Sequence, residues 1–251
     1  MQTCPKCDYA LSNEVKYCTQ CGVILKKPQV ETRAKSLNLV IVFYVTFLLF
    51  SLISYLIYES SEPSLALELT IESVFALLVI GFSLSNYKSI LKLYKLPIFD
   101  NKIVTFTLLF PVLSAFFVSI SIGYLNEWLF EVYYDNYYSE YVYLSNPILW
   151  SFILIAILPP IFEELAFRGF LFNELSNVAS QRVTIIATAF LFALVHFSLI
   201  SFIWIFPFGL LLGYLRSKYN TMWYGIVIHF IHNFIVLMID YYNYNSELVV
   251  Y

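Results

Sequence analysis

The sequence is short of charge. Only 12% of its 251 residues are Asp, Glu, Lys or Arg, while 60% are hydrophobic and 20% aromatic. A soluble globular chain is about a quarter charged. The scarcity excludes an ordinary soluble domain and implies a chain that crosses a lipid bilayer several times. A basic patch is missing too. The Lys and Arg residues are scattered beside apolar segments, so nothing points to nucleic acid as a partner. The first 36 residues hold no apolar core of the length a signal peptide needs. No internal repeat stands out, and no low-complexity tract beyond the tyrosines crowded near 127–145 and in the tail.

Cysteine is absent after position 21. All four lie in "CPKCDYALSNEVKYCTQC", as Cys4, Cys7, Cys18 and Cys21. Two Cys-x-x-Cys knuckles can each turn two thiolates toward one tetrahedral ion, and together they close a four-thiolate zinc site. A piece this small cannot build a core of its own, so metal binding supplies its folding energy. Two disulfides are the alternative. The topology below puts this end in the reducing cytosol, which disfavours them. The segment resembles the short zinc ribbons at the ends of many bacterial membrane proteins. A closed site of this kind is structural, so it implies docking or regulation, with a cytosolic partner of the ribbon in view.

A spanning helix needs about 20 mostly apolar residues. Seven runs qualify, near 37–58, 66–86, 103–125, 147–172, 183–199, 200–215 and 222–240. The second is weakened by Glu68 and Glu72 near its start. An eighth could hide in 127–145, although its acids and tyrosines fit an interfacial or external segment better. The expected fold is therefore all-α: a multi-pass transmembrane bundle of seven or eight helices behind a small zinc ribbon. Basic loops set its orientation. Lys26, Lys27, Arg33 and Lys35 precede the first run, and Lys88, Lys92, Lys95 and Lys102 follow the second. Arg168 and Arg182 follow the fourth run, and Arg216 and Lys218 the sixth. The intervening loops carry Glu59, Glu62, Glu127, Glu131, Asp135 and Glu140 and no base. This alternation places a multi-pass protein in the cell membrane with its N-terminus in the cytosol.

Ionisable residues inside spans are costly and are functional candidates by default. Glu163, Glu164 and Arg168 fall on the fourth run, His196 on the fifth, and His229, His232, Asn233 and Asp240 on the seventh. Glu164 and Arg168 are four apart and can pair on one helix face. Adjacent helical residues point about 100° apart at about 3.6 residues per turn, so Glu163 is turned away from that pair. His229 and Asn233, also four apart, share a face. In lipid these stripes must turn inward and find one another. His232 by itself reads as interhelical glue, and Asp240 as a helix-end group near the outer interface. Depth agrees imperfectly. At about 1.5 Å per residue, His229 lies roughly 10 Å into its span and His196 roughly 20 Å into its own; a tilt or a shifted boundary would reconcile them. Pro159 and Pro160 imply a kink or break just before the glutamates.

Three motifs then stand in order: "EELAFRG" (Glu-Glu-x-x-x-Arg), "FALVH" (Phe-x-x-x-His) and "HFIHN" (His-x-x-x-Asn). Residues 147–240 thereby resemble the CAAX-protease and bacteriocin-processing family, CPBP or Abi, of intramembrane peptidases. The resemblance implies an endopeptidase that cuts a membrane-associated peptide or protein. Glu163 and His196 would activate water, His229 and Asn233 would stabilise the oxyanion, and Glu164 with Arg168 would support them. A carboxylate out of water suits a general base, and an imidazole and an amide are donors for an oxyanion. Two histidines and a glutamate also form a catalytic zinc set, so Glu163, His196 and His229 could hold an ion. There is no His-Glu-x-x-His helix, which favours the metal-free mechanism. The implied division is ribbon 1–25, linker 26–36, N-terminal transmembrane helices 37–125 and catalytic core 147–240. Residue usage rich in Phe, Tyr, Ile and Asn resembles a bacterial protein, so leader or bacteriocin processing, self-immunity or cleavage of a membrane-anchored partner are the implied tasks. The rival reading is a non-catalytic scaffold or immunity factor that recruits partners through its ribbon.

Overall fold

The computed structural model describes residues 2–11, 17–25, 30–97, 100–130 and 136–249. Of the residues that set the topology, Lys26, Lys27, Glu131 and Asp135 lie outside them. The ribbon opens with strands β1 (Gln2–Thr3) and β2 (Ala10–Leu11), paired antiparallel. A single bridge joins Tyr17 to Ile24. Each pairing folds one cysteine knuckle back on itself, and Cys4, Leu11 and Cys18 pack together with Cys21, Val23 and Leu25. Everything else of regular structure in the described residues is helical.

Six helices are long and apolar enough to cross a membrane. They begin with α1 (Val30–Ser60) and α2 (Leu65–Leu84). Helix α1 starts inside the segment expected to be a linker. The short α3 (Tyr87–Leu91) leads to the third span, α4 (Asn101–Phe130). No further long helix follows before residue 147 among the described residues: Ser139–Tyr141 forms only a 3₁₀ turn. The fourth span, Pro147–Val178, is composite. It runs through α5 (Pro147–Ser151), a π-helical stretch (Phe152–Ile157), α6 (Leu158–Glu163), a second π-helical stretch (Glu164–Leu171) and α7 (Phe172–Val178). The proline pair thus widens the helix without ending it, and π segments of this kind favour functional sites. Next come α8 (Gln181–Leu194), α9 (Leu199–Tyr219) and α10 (Trp223–Val249).

The boundaries follow local chemistry. Ser64, Ser180 and Ser198 cap the first turns of α2, α8 and α9, each side-chain oxygen accepting a backbone N–H three residues on. Asn220 ends α9 in the left-handed conformation with φ 50°, a cap that Asn tolerates. Helix α8 corrects the expected fifth span: it is only 14 residues long and stops at Leu194, with Phe197 and Leu199 exposed just after it. It forms a hairpin with α9, and the backbones approach closely where α9 presents Gly209 and Gly213. A Cβ on Gly209 would stand 3.1 Å from Ala189, and one on Gly213 3.3 Å from Ile185. Small residues four apart on one helix face are the usual device for such contacts in membranes.

The main core surrounds the second π stretch. Phe167 and Phe170 pack against Phe43, Phe82 and Phe192, with ring centroids 5.2–6.0 Å apart. The basic segments gather at one end of the bundle. There the backbone N–H of Met222 donates to Leu93 O at 3.1 Å, and the indole N–H of Trp223 to Tyr94 O at 2.8 Å. The ribbon docks at this same end. The Tyr17 hydroxyl donates to Ser176 O at 2.9 Å and to Ala179 O at 2.7 Å. These are carbonyls that the end of α7 leaves without helical donors. Burial raises the Tyr17 pKa, so its hydroxyl stays a donor.

Candidate functional site

The fourth span carries the glutamates, and its neighbours meet them there. Arg168 Nη1 donates to Glu164 Oε1 at 2.9 Å, both side chains being out of water. The guanidinium also reaches Gly209 O at 3.3 Å and lies 4.3 Å above the Phe192 ring. The motif phenylalanine is therefore a floor for the arginine. His229 stands between the two glutamates. Its Nδ1 is 3.4 Å from Glu164 Oε1, and its Nε2 is 3.8 Å from Glu163 Oε2. Helix α10 can come this close because it offers Gly225 to the carboxylate: a Cβ there would sit 2.5 Å from Glu164 Oε2.

His196 lies past the end of α8, on a turn that continues into Phe197 at φ 50°. Its Nδ1 is 2.6 Å from Phe192 O. A carbonyl only accepts, so Nδ1 carries the proton in the neutral ring and Nε2 keeps its lone pair. No His196 nitrogen comes within 4.0 Å of a carboxylate among the described residues. Glu163 and His196, expected to activate one water together, are thus not in direct contact; the imidazole within 4.0 Å of Glu163 is that of His229. Both histidines nevertheless line one cavity of about 1230 Å³ with Glu163, His232 and Asn233, between walls that include Phe110, Phe117, Trp204 and Phe208. The depth discrepancy is resolved by register. Gly169 lies level with Met222, since a Cβ on it would be 3.1 Å from Met222 Sδ. The fourth span therefore ends, and α8 begins, beyond the level at which α10 begins.

Four polar atoms at this place have no hydrogen-bond partner in the protein: Glu163 Oε2, Glu164 Oε2, Arg168 Nε and His229 Nδ1. Buried polar atoms are normally paired, so this concentration marks a place where water or a ligand belongs. Asn233 donates to Ile155 O at 3.0 Å. His232 meets Ser114 Oγ at 2.9 Å and packs on Phe208 at 4.9 Å. Asp240, expected at a helix end near the interface, is fully buried inside α10. It accepts the Tyr137 N–H at 3.0 Å and so ties the segment after α4 back to the bundle.

Sequence reasoning missed two bracing groups. Buried Arg216 donates to Arg168 O at 3.0 Å, Asn173 Oδ1 at 2.9 Å and Asn220 Oδ1 at 2.9 Å. Glu174 accepts from Ser36 Oγ at 2.6 Å and from Asn86 at 2.9 Å. The signal for Arg216 was present: an arginine at the end of an apolar helix with no acid on the adjoining turns.

Metal fit differs between the two ends. In the ribbon, Cys4 and Cys21 stand 3.7 Å apart at sulfur and Cys7 and Cys18 3.6 Å, with all four sulfurs within 4.8 Å. Thiolates 2.3 Å from a tetrahedral zinc would be about 3.8 Å apart. The Cys4 thiol, although raised by burial, is lowered to about 7 by the Lys6 and Cys7 N–H groups. Cys7, although lowered by the Tyr9 N–H, is pushed up to about 12 by burial and the other sulfurs. Four thiolates this close need a cation to coexist, so the set fits a structural metal ion. No other three His, Cys, Asp or Glu side chains come together this closely among the described residues. Glu163, His196 and His229 are therefore not gathered for one ion.

Six apolar spans and a buried carboxylate–imidazole–guanidinium cluster facing a large apolar cavity define a multi-pass helical membrane protein with an intramembrane polar site. Residues 145–235 match the family model described as type II CAAX prenyl endopeptidase Rce1-like. That match bears out the resemblance read from the three motifs, and it takes in every candidate residue from Glu163 to Asn233. No curated protein matches the chain, and no solved structure does.

Proposed function

We propose that the protein is an intramembrane endopeptidase that hydrolyses a peptide bond in a membrane-associated peptide or protein. The family match supports a CAAX-type protease in general terms. The observation that carries the reading to these residues is the unpartnered Glu163 Oε2 beside His229, on the cavity shared with His196 and Asn233. Interhelical glue satisfies its hydrogen bonds. This cluster leaves four polar atoms open, which argues against the scaffold reading.

In the proposed reaction, Glu163 takes a proton from a water that also donates to the His196 Nε2 lone pair. The water oxygen attacks the scissile carbonyl carbon. The developing oxyanion accepts hydrogen bonds from His229 and from the second N–H of Asn233. The C–N bond then breaks, and the proton held by Glu163 passes to the leaving amine. Arg168 fixes the Glu164 carboxylate beside the His229 ring, 3.4 Å from its Nδ1. No step runs through a metal, because the residues do not fit one. The apolar cavity walls suit a lipid-anchored or membrane-spanning segment. Zinc is the ion assigned to the ribbon, whose exposed side is left for a cytosolic partner. The clustering of the basic segments at the ribbon end supports a cytosolic N-terminus. Residues 147–240 form the catalytic unit.

The test is cleavage of lipid-tethered, quenched fluorescent peptides by the protein in liposomes. Glu163→Gln is expected to lower turnover by about 10²–10⁴-fold. Unchanged turnover would remove Glu163 from its role.

A further inference from the structure

The proline pair poses an accounting problem that the family match does not address. In an α-helix, Ile155 O would accept from the N–H of residue 159. In a π-helix it would accept from that of residue 160. Both positions are proline, and proline has no N–H. Ile155 lies in the first π stretch, where the next helical N–H, that of Leu158, already bonds to Ile153 O. Its carbonyl is therefore without a backbone donor in either register, at a depth where no lipid group can replace one. The donor is the Asn233 side-chain amide, 3.0 Å away on α10.

We infer that Asn233 is a positioning residue: its amide clasps the Ile155 carbonyl freed by Pro159 and Pro160 and so fixes α10 against the helix that carries Glu163. Two turns past Ile155, that helix presents Glu163. One turn before Asn233, α10 presents His229, 3.8 Å from Glu163. The clasp thus sets the spacing of the two groups. An amide nitrogen has two N–H groups, so one N–H can hold the helix while the other faces the cavity. Reading the clasp as part of a catalytic device rests on the proposed hydrolysis; the clasp itself does not.

The experiment is a double-mutant cycle on the full chain in detergent, read by thermal unfolding, with turnover as a second readout. Asn233→Leu keeps the bulk and removes the donor. Pro159→Ala with Pro160→Ala returns backbone N–H groups to Ile155 O. Asn233→Leu is expected to lower Tm by about 2–4 °C with the prolines present and by less than half of that shift without them. The pH profile of turnover, governed by the Glu163–His229 spacing, should shift in Asn233→Leu and return in the triple variant. If Asn233→Leu leaves Tm unchanged, or lowers it equally in both backgrounds, the inference fails. If Asn233→Leu does not fold, recovery of folded protein on replacing the prolines supports the clasp, and no recovery overturns it. A wild-type protein without turnover would sink the hydrolase reading, while the Tm cycle would still decide the clasp.

Discussion

Glu174 and the pair Glu163–Glu164 sit on the same span, and the bundle treats them in opposite ways. Glu174 is 3% exposed, and both of its oxygens accept a hydrogen bond, from Ser36 on α1 and from Asn86 before α3. Glu163 and Glu164 each keep one oxygen without a partner, beside a histidine with the same deficit. A satisfied buried carboxylate braces; an unsatisfied one, aimed at a cavity, is available for chemistry. Burial alone does not separate them. The hydrogen-bond account does.

Substitutions should divide along that line. The largest stability effect is expected from Arg168→Met, which strands the Glu164 carboxylate in the core. Losing one partner of a buried pair costs about 3–5 kcal/mol. Chemical or thermal unfolding in detergent should register it, and adding Glu164→Gln should recover part of the loss. Glu174→Leu comes next, at about 1–3 kcal/mol for the donors it abandons. Its turnover per folded molecule should stay at the wild-type level; a collapse of that specific turnover would place Glu174 in the site and erase the contrast. Gly225→Ala pushes a methyl to 2.5 Å from Glu164 Oε2, an overpacking that costs about 1–3 kcal/mol. It should depress turnover as well, because the helix that moves also carries His229. The smallest effect, about 1 kcal/mol, is expected from Tyr17→Phe, which uncaps the Ser176 and Ala179 carbonyls. Hydrogen exchange across 172–184 should quicken. Metal chelation should do the same in the wild type and add little in Tyr17→Phe, since the ribbon holds that corner through this hydroxyl.

Much of this was legible in the sequence, because lipid imposes simple rules. Six apolar runs became spans because a helix is the open-chain structure that satisfies its own backbone in a bilayer. The Glu164–Arg168 pair followed from its spacing. The four cysteines declared themselves by knuckle and gap. What was not legible depended on neighbours. Helix α8 stops at Leu194 because the chain turns at Phe197 with φ 50° and Ser198 caps the start of α9, and a run of apolar residues cannot reveal that. The approach of His229 to Glu163, in place of His196, depends on Gly225 and on the register of Gly169 with Met222. Arg216 and Glu174 work through carbonyls and amides that come from distant segments. The Asn233 clasp was within reach. Two consecutive prolines in a span always leave a carbonyl without a donor, and an amide on a facing helix is a natural supplier.

The central claim is that Glu163, unsatisfied and on the cavity, acts, and that Glu174, with both oxygens satisfied, braces. Its most direct test sets Glu163→Gln beside Glu174→Gln, measuring Tm and turnover of a lipid-tethered peptide on the same preparations. The account predicts a crossed result: Glu163→Gln keeps its Tm and loses turnover by at least about 10²-fold, whereas Glu174→Gln loses Tm and keeps turnover per folded molecule. Two variants that lose both properties together, or a Glu163→Gln protein that cleaves as the wild type does, would contradict it.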